Sequence, residues 1–188
     1  NAANPQVLEE FTKALKEARD NQKVKLIAIT GTGKAFMSGA DISVFERKPE
    51  EDLKKQAERM REWGEKGQAL CAFIEEVDEK KPVISAINGF CLGGGLEIAL
   101  STRYIIAVEN ALIGSPEITL HLIPGWGGTQ RLTRKIGPAK AIPLMLNVVR
   151  GPDKKWPTAE DALQRGIVDE KVDNELVLVS RLAELARN

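Results

Sequence analysis

The sequence predicts an α/β domain, and three observations carry that prediction. Apolar runs of strand length alternate with helical segments of three- and four-residue periodicity. Glycine clusters fall where a strand gives way to a helix. No low-complexity linker divides the 188 residues, so a single domain over residues 1–188 is expected.

The elements follow in order. Polar residues 1–4 precede Pro5, which suits the first turn of a helix. Val7, Leu8, Phe11, Ala14, Leu15 and Ala18 recur on one face, giving an amphipathic helix to about Asn21. Residues 25–30 read as a strand. Residues 31–42 read as a loop beyond its C-terminal end, where α/β sheets commonly bind ligands. Gly33-Lys34 is not a phosphate loop, because the spacing G-x-x-x-x-G-K-[ST] is absent and Ala35 stands where Ser or Thr belongs.

Residues 50–77 make a long, highly charged helix with Leu53, Ala57, Met60, Gly64, Gly67, Cys71 and Ile74 as its buried stripe. Gly64 and Gly67 each cost about 1 kcal/mol against alanine, and either permit close packing or mark a break. The charges are a solvated face and Cys71 belongs to the core. A strand at 82–88 leads to the turn Gly93-Gly94-Gly95 and a helix over 94–102. Strands at 103–108 and 111–114 then reach Ser115-Pro116-Glu117, where the proline stiffens the approach to the carboxylate.

The cluster Gly125-Trp126-Gly127-Gly128 opens a helix that ends near Gly137-Pro138. Another helix covers 139–146, and a turn follows at Arg150-Gly151-Pro152-Asp153. Thr158, with Asp161 three residues on, starts a capped helix that stops at Gly166. A short strand at 167–172 and an amphipathic helix at 175–187 complete the chain.

Composition excludes some functions. Lys+Arg and Asp+Glu both number 27, so no charge excess points to nucleic acid or an acidic membrane surface. Cys71 and Cys91 make neither a disulfide framework nor a metal-ligand spacing, and the single histidine, His121, puts a multi-histidine zinc site out of reach. There is no run of about 18 apolar residues and no signal peptide. A soluble protein of the cytoplasm, or of another reducing compartment such as an organelle matrix, is expected.

The chemistry concentrates in residues 87–97. A strand, a glycine turn and a helix N-terminus place unpaired N–H groups beside the positive end of a helix dipole, an arrangement suited to negative charge. Glu97, one turn into that helix, is the first candidate for proton chemistry. Neither glycine cluster is a dinucleotide fingerprint, since G-x-G-x-x-G fails at Ile98 when read from Gly93 and at Gln130 when read from Gly125.

Three motifs in order resemble the crotonase (enoyl-CoA hydratase/isomerase) superfamily over nearly the whole chain. They are Lys34-Ala35-Phe36-Met37-Ser38-Gly39-Ala40-Asp41-Ile42, then residues 87–97, then Ser115-Pro116-Glu117-Ile118 with Ile123-Pro124-Gly125-Trp126-Gly127-Gly128-Thr129-Gln130-Arg131-Leu132. The resemblance implies a spiral of ββα units, assembled as homotrimers or dimers of trimers. It also implies stabilisation of an enolate made from an acyl-CoA thioester. The N–H groups of Ala40 and Gly94 would form the oxyanion hole, Glu97 and Glu117 the acid/base pair, and the N–H of Gly125 would hold a water. Ser38, Ala40, Asp41, Ile42, Gly93, Gly94 and Trp126 are the implied substrate contacts, Trp126 being equally suited to core packing. Cys91 is expected to be buried beside the turn.

Two glutamates favour an enoyl-CoA hydratase, with coenzyme A part of the substrate and no cofactor or metal. The alternatives are an isomerase that needs only Glu117, an RNA-binding module, and a non-catalytic module of the same fold. His121 stands where the family commonly has glycine, and a packed histidine is expected there. The family's first strands and its C-terminal covering helices lie outside this sequence. A fragment, a domain of a multifunctional β-oxidation protein, or part of a longer chain is therefore expected.

Overall fold

The computed structural model describes residues 1–46, 48–146 and 156–187. The turn expected at Arg150-Gly151-Pro152-Asp153 lies outside the described residues. Strands β1 (Ile27–Thr30), β3 (Val83–Ile87), β5 (Tyr104–Val108) and β7 (Glu170–Val172) form one sheet in the order β1-β3-β5-β7. Strands β2 (Ala35–Met37), β4 (Phe90–Leu92) and β6 (Leu112–Gly114) form a second, in the order β2-β4-β6. Every pairing is parallel. The chain thus runs one strand into each sheet before taking a helix, and repeats that unit.

The helices are α1 (Pro5–Asp20), α2 (Leu53–Lys80), α3 (Gly94–Ala99), α4 (Gly128–Ile136), α5 (Pro138–Leu146), α6 (Ala159–Arg165) and α7 (Glu175–Leu185). Local chemistry fixes their ends. The Asn4 side chain accepts from the Val7 N–H to cap α1, with Pro5 in its first turn. Thr158 and Asp161 complete a reciprocal capping box on α6, which stops at Gly166 in the left-handed region. All five residues of β3 are buried, as a central parallel strand covered on both faces requires.

Four expectations need correction. The segment 31–42 is not all loop, since β2 lies inside it, with Ala35 opposite Phe90 and Met37 opposite Cys91. The junction after β3 likewise holds β4 before the glycine turn. Strands of three residues are too short to show a period. Helix α3 stops at Ala99, because Ser101 and Thr102 turn their hydroxyls onto the carbonyls of Glu97 and Ala99 and compete for the helix end.

In α2 burial begins only at Trp63 and continues through Gly67, Leu70, Cys71, Ile74 and Val77. Leu53 is 72% exposed and Ala57 is also exposed, because the first half extends beyond the core cluster. The helix does not break at its glycines. Gly67 is a close approach, where a Cβ would enter the Trp126 ring, whereas Gly64 faces open space. Cys71 and Cys91 are both fully buried.

Candidate active site

Three chain ends meet at the C-terminal side of the smaller sheet. Gly93 ends β4 with φ 55°, in the positive region that favours glycine, and its N–H donates to the Gly114 carbonyl at the end of β6 (3.0 Å). A Cβ at Gly93 would lie 3.3 Å from Glu117 Oε1 and 3.8 Å from Gly39 Cα. The segment 39–41 is fixed from its far side. The Ala3 N–H donates to the Gly39 carbonyl and the Asp41 N–H to the Ala3 carbonyl, both at 2.8 Å. In such a parallel bridge the N–H of Ala40 points away from Ala3. Among the described residues neither it nor the N–H of Gly94, the first residue of α3, has an acceptor. Two free donors therefore belong to adjoining turns.

Glu97 is 4% exposed and reaches from α3 to the start of α4. Its Oε1 accepts from the backbone N–H groups of Trp126 (2.7 Å) and Gly128 (2.8 Å). A Cβ at Gly128 would sit 2.9 Å from that oxygen, so the missing side chain is what admits the carboxylate. Burial pushes Glu97 up to about 7, and the charge of Glu117 adds to the rise. The two N–H groups and Arg131 oppose it. Arg131 in turn braces the turn that supplies those donors. Its Nη1 donates to the Trp126 carbonyl (2.9 Å), while Nε and Nη2 hold Glu75 at 2.8 Å each.

Glu117 opens a short 3₁₀ turn, Glu117–Leu120, directly after β6. Its Oε2 accepts from the Ser115 hydroxyl at 2.7 Å. Its Oε1 is buried and has no partner among the described residues. Burial raises its pKa against the opposing Ser115 hydrogen bond. The site therefore holds a buried carboxylate, Glu97, and a half-buried one, Glu117, both pushed up by desolvation, the second with a buried oxygen that has no partner among the described residues.

The other predicted positions divide. Gly93, Gly94 and Trp126 line this junction, but the Trp126 indole is buried edge-on against Trp63 (5.2 Å between centroids). A Cβ at Gly94 would lie 2.7 Å from that indole, so Trp126 walls the turn from below as core. Gly125 is exposed, with its carbonyl accepting from Gln68 Nε2 at 2.8 Å. Ser38 turns its hydroxyl to the Asn1 carbonyl (3.2 Å). Asp41 caps the 3₁₀ turn Ile42–Val44 by accepting from the Ser43 N–H (3.0 Å) and hydroxyl (2.8 Å), which holds its pKa down. Ile42 is largely exposed.

His121 is not packed. It is exposed and caps the 3₁₀ turn at φ 59°, ψ 31°, the left-handed conformation that glycine takes most easily. Sequence reasoning missed Ser115, the Trp126 and Gly128 donors, and Arg131. A hydroxyl two residues before a glutamate was the available signal for the first, and backbone donors have none. Among the described residues no group of His, Cys, Asp or Glu could hold a metal ion, and no helix is long and apolar enough to cross a membrane.

Fold and site together define an α/β protein of repeated ββα units with a two-carboxylate site, one buried and one half-buried, beside free backbone donors. The family model for enoyl-CoA hydratase/isomerase matches residues 1–188. A crotonyl-CoA hydratase of Syntrophomonas wolfei is 39% identical over 181 residues, covering 95% of this chain and 63% of that protein. The peroxisomal fatty acid beta-oxidation multifunctional protein of Oryza sativa is 36% identical over 188 residues, covering 97% of this chain and 23% of that one. The crystal structure of an enoyl-CoA hydratase from Bacillus anthracis superposes with a TM-score of 0.81 at 33% identity, covering 99% of this chain and 66% of the other.

The chain belongs to the enoyl-CoA hydratase/isomerase family and has its crotonase fold. It spans about two thirds of the length of the Syntrophomonas and Bacillus anthracis proteins.

Proposed function

We propose that the protein is an enoyl-CoA hydratase, adding water reversibly and syn to a trans-2-enoyl-CoA to give the 3-hydroxyacyl-CoA. The observation that carries this is the pair Glu97 and Glu117. Buried Glu97, pushed up to about 7, and half-buried Glu117 are near enough to act on each other's charge, and Glu117 Oε1 has no partner among the described residues. A water attacks C3 as one carboxylate takes its proton. The π electrons of the C2–C3 bond shift into a C1–C2 double bond as the carbonyl pair moves onto the thioester oxygen. The carbonyl then reforms, and the C1–C2 π pair takes a proton from the other carboxylate to make the C2–H bond. The pair titrates as a coupled unit, so the two roles are assigned to the pair.

The N–H groups of Ala40 and Gly94 receive the enolate oxygen in this mechanism, each such donor being worth about 3–4 kcal/mol in the transition state. The N–H of Gly125 holds the attacking water. Coenzyme A enters as part of the substrate, no further cofactor takes part, and the working assembly is a homotrimer or a dimer of trimers. The names of the matched relatives, a crotonyl-CoA hydratase and a β-oxidation multifunctional protein, support this reading and a role in fatty acid oxidation.

The test follows loss of enoyl-thioester absorbance with crotonyl-CoA and longer homologues, using the complete natural polypeptide. Glu97→Gln and Glu117→Gln should each abolish hydration. A Glu97→Gln protein that still moves the double bond of a 3-enoyl-CoA at the parental rate, where the parent hydrates poorly, would identify an isomerase. Full hydration by either variant would rule out the two-glutamate mechanism.

A further inference from the structure

We propose that Ser115 is a positioning residue: its hydroxyl holds Glu117 Oε2 and so commits Oε1, the oxygen beside Gly93, to proton transfer. This rests on the acid/base reading of Glu117 given above. The two oxygens of this carboxylate are not equivalent. Oε2 accepts from Ser115 Oγ at 2.7 Å, and Ser115 is itself only 5% exposed, on the last step out of β6. Oε1 is buried, unpartnered, and 3.3 Å from where a Cβ at Gly93 would be. A buried carboxylate oxygen without a donor is costly unless something else occupies the site during turnover. The free oxygen therefore faces the glycine turn that carries the Gly94 donor.

The hydroxyl has a second effect. A serine donates one proton and fixes a carboxylate's rotation, while lowering the cost of its ionised form. Glu97 on α3 is the charged group coupled to Glu117, and the neighbouring charge of Arg131 acts on Glu97. At Glu117 burial raises the pKa, and the Ser115 hydroxyl is the largest influence opposing it. Ser115 is thus the side chain that opposes burial at Glu117. The Ser115 hydroxyl is spent on Glu117 Oε2, so its influence passes through the carboxylate.

The experiment measures the pH dependence of kcat and kcat/KM for crotonyl-CoA hydration in the natural polypeptide and in Ser115→Ala, Ser115→Thr and Glu117→Gln. A hydrogen bond to a charged acceptor corresponds to about one to two pH units of a group's titration. In Ser115→Ala one limb of the profile should move to higher pH by that amount. At the optimum kcat should fall about 10-fold with KM changed less than about 2-fold, the split expected when an interaction of the transition state is lost. Ser115→Thr, which keeps the hydroxyl, should restore the parental limb.

An unshifted profile in Ser115→Ala, beside an inactive Glu117→Gln, overturns the proposal and leaves the two-glutamate reading standing. An active Glu117→Gln overturns that reading instead. If Ser115→Ala does not fold, Ser115→Cys keeps the size with a weaker donor. A shifted limb there supports the role and a parental limb refutes it.

Discussion

Replacing Glu97 by glutamine should make the protein more stable at pH 8 while removing the proposed hydratase activity. The carboxylate is 4% exposed, and burial raises it from the ordinary 4.5 to about 7. The folded state therefore keeps a proton on Glu97 where the unfolded chain has released it. As pH rises between these values the unfolded state binds fewer protons, so stability falls. The contribution is fully present below about pH 4.5 and lost above about pH 7, and the gap corresponds to about 3 kcal/mol.

Glutamine keeps an oxygen for the Trp126 and Gly128 N–H groups but adds an amide that needs a partner, which costs about 1–2 kcal/mol if it finds none. The variant should then exceed the parent by about 1–3 kcal/mol at pH 8, and that margin should shrink by about 3 kcal/mol at pH 4.5. Urea unfolding followed by tryptophan fluorescence at several pH values measures this, Trp126 being adjacent. Parallel stability–pH curves for the two proteins would refute the claim that the active site stores a buried, near-neutral carboxylate.

The remaining predictions concern neighbours of the site. Gly67→Ala should cost about 1–3 kcal/mol by driving a methyl into the Trp126 ring, whereas Gly64→Ala, facing open space in the same helix, should gain about 0.5–1 kcal/mol; thermal unfolding compares them, and equal effects would refute the packing argument. Arg131→Gln should release the 125–128 turn and raise Glu97 further. Hydration should fall about 10- to 100-fold, with the Glu97 limb moved to higher pH. His121→Gly should change stability by less than about 1 kcal/mol, because relief of the left-handed strain is offset by a freer unfolded chain. A loss above about 2 kcal/mol would mean that the imidazole packs after all.

The longer elements were legible because their signals are redundant. Helix α1 combines a periodic apolar face with a proline in the first turn. The reciprocal Thr158–Asp161 box marked α6 to the residue. The three-residue strands β2 and β4 were hidden for the converse reason. Ala35–Met37 and Phe90–Leu92 carry too few side chains to display alternation, and they are identified by pairing, β2 with β4 and β4 with β6. The stripe along α2 failed in its first half because periodicity shows which face could be buried, while a partner must exist for burial to occur.

At the site the divide falls between side chains and backbone. Glu97 and Glu117 were readable as residue types in a motif, and the Gly93–Gly94 turn was readable as backbone that must approach something closely. What determines the state of Glu97 was not, because its two shortest contacts are N–H groups of Trp126 and Gly128, and every residue but proline carries such a group. The visible trace is indirect: Gly128 has no side chain where a Cβ would meet the carboxylate at 2.9 Å. A glycine read as a turn former is here also the space that lets an acid enter the start of a helix. Desolvation then raises the acid while two amide dipoles hold it near neutrality, a balance suited to a group that must both take and return a proton.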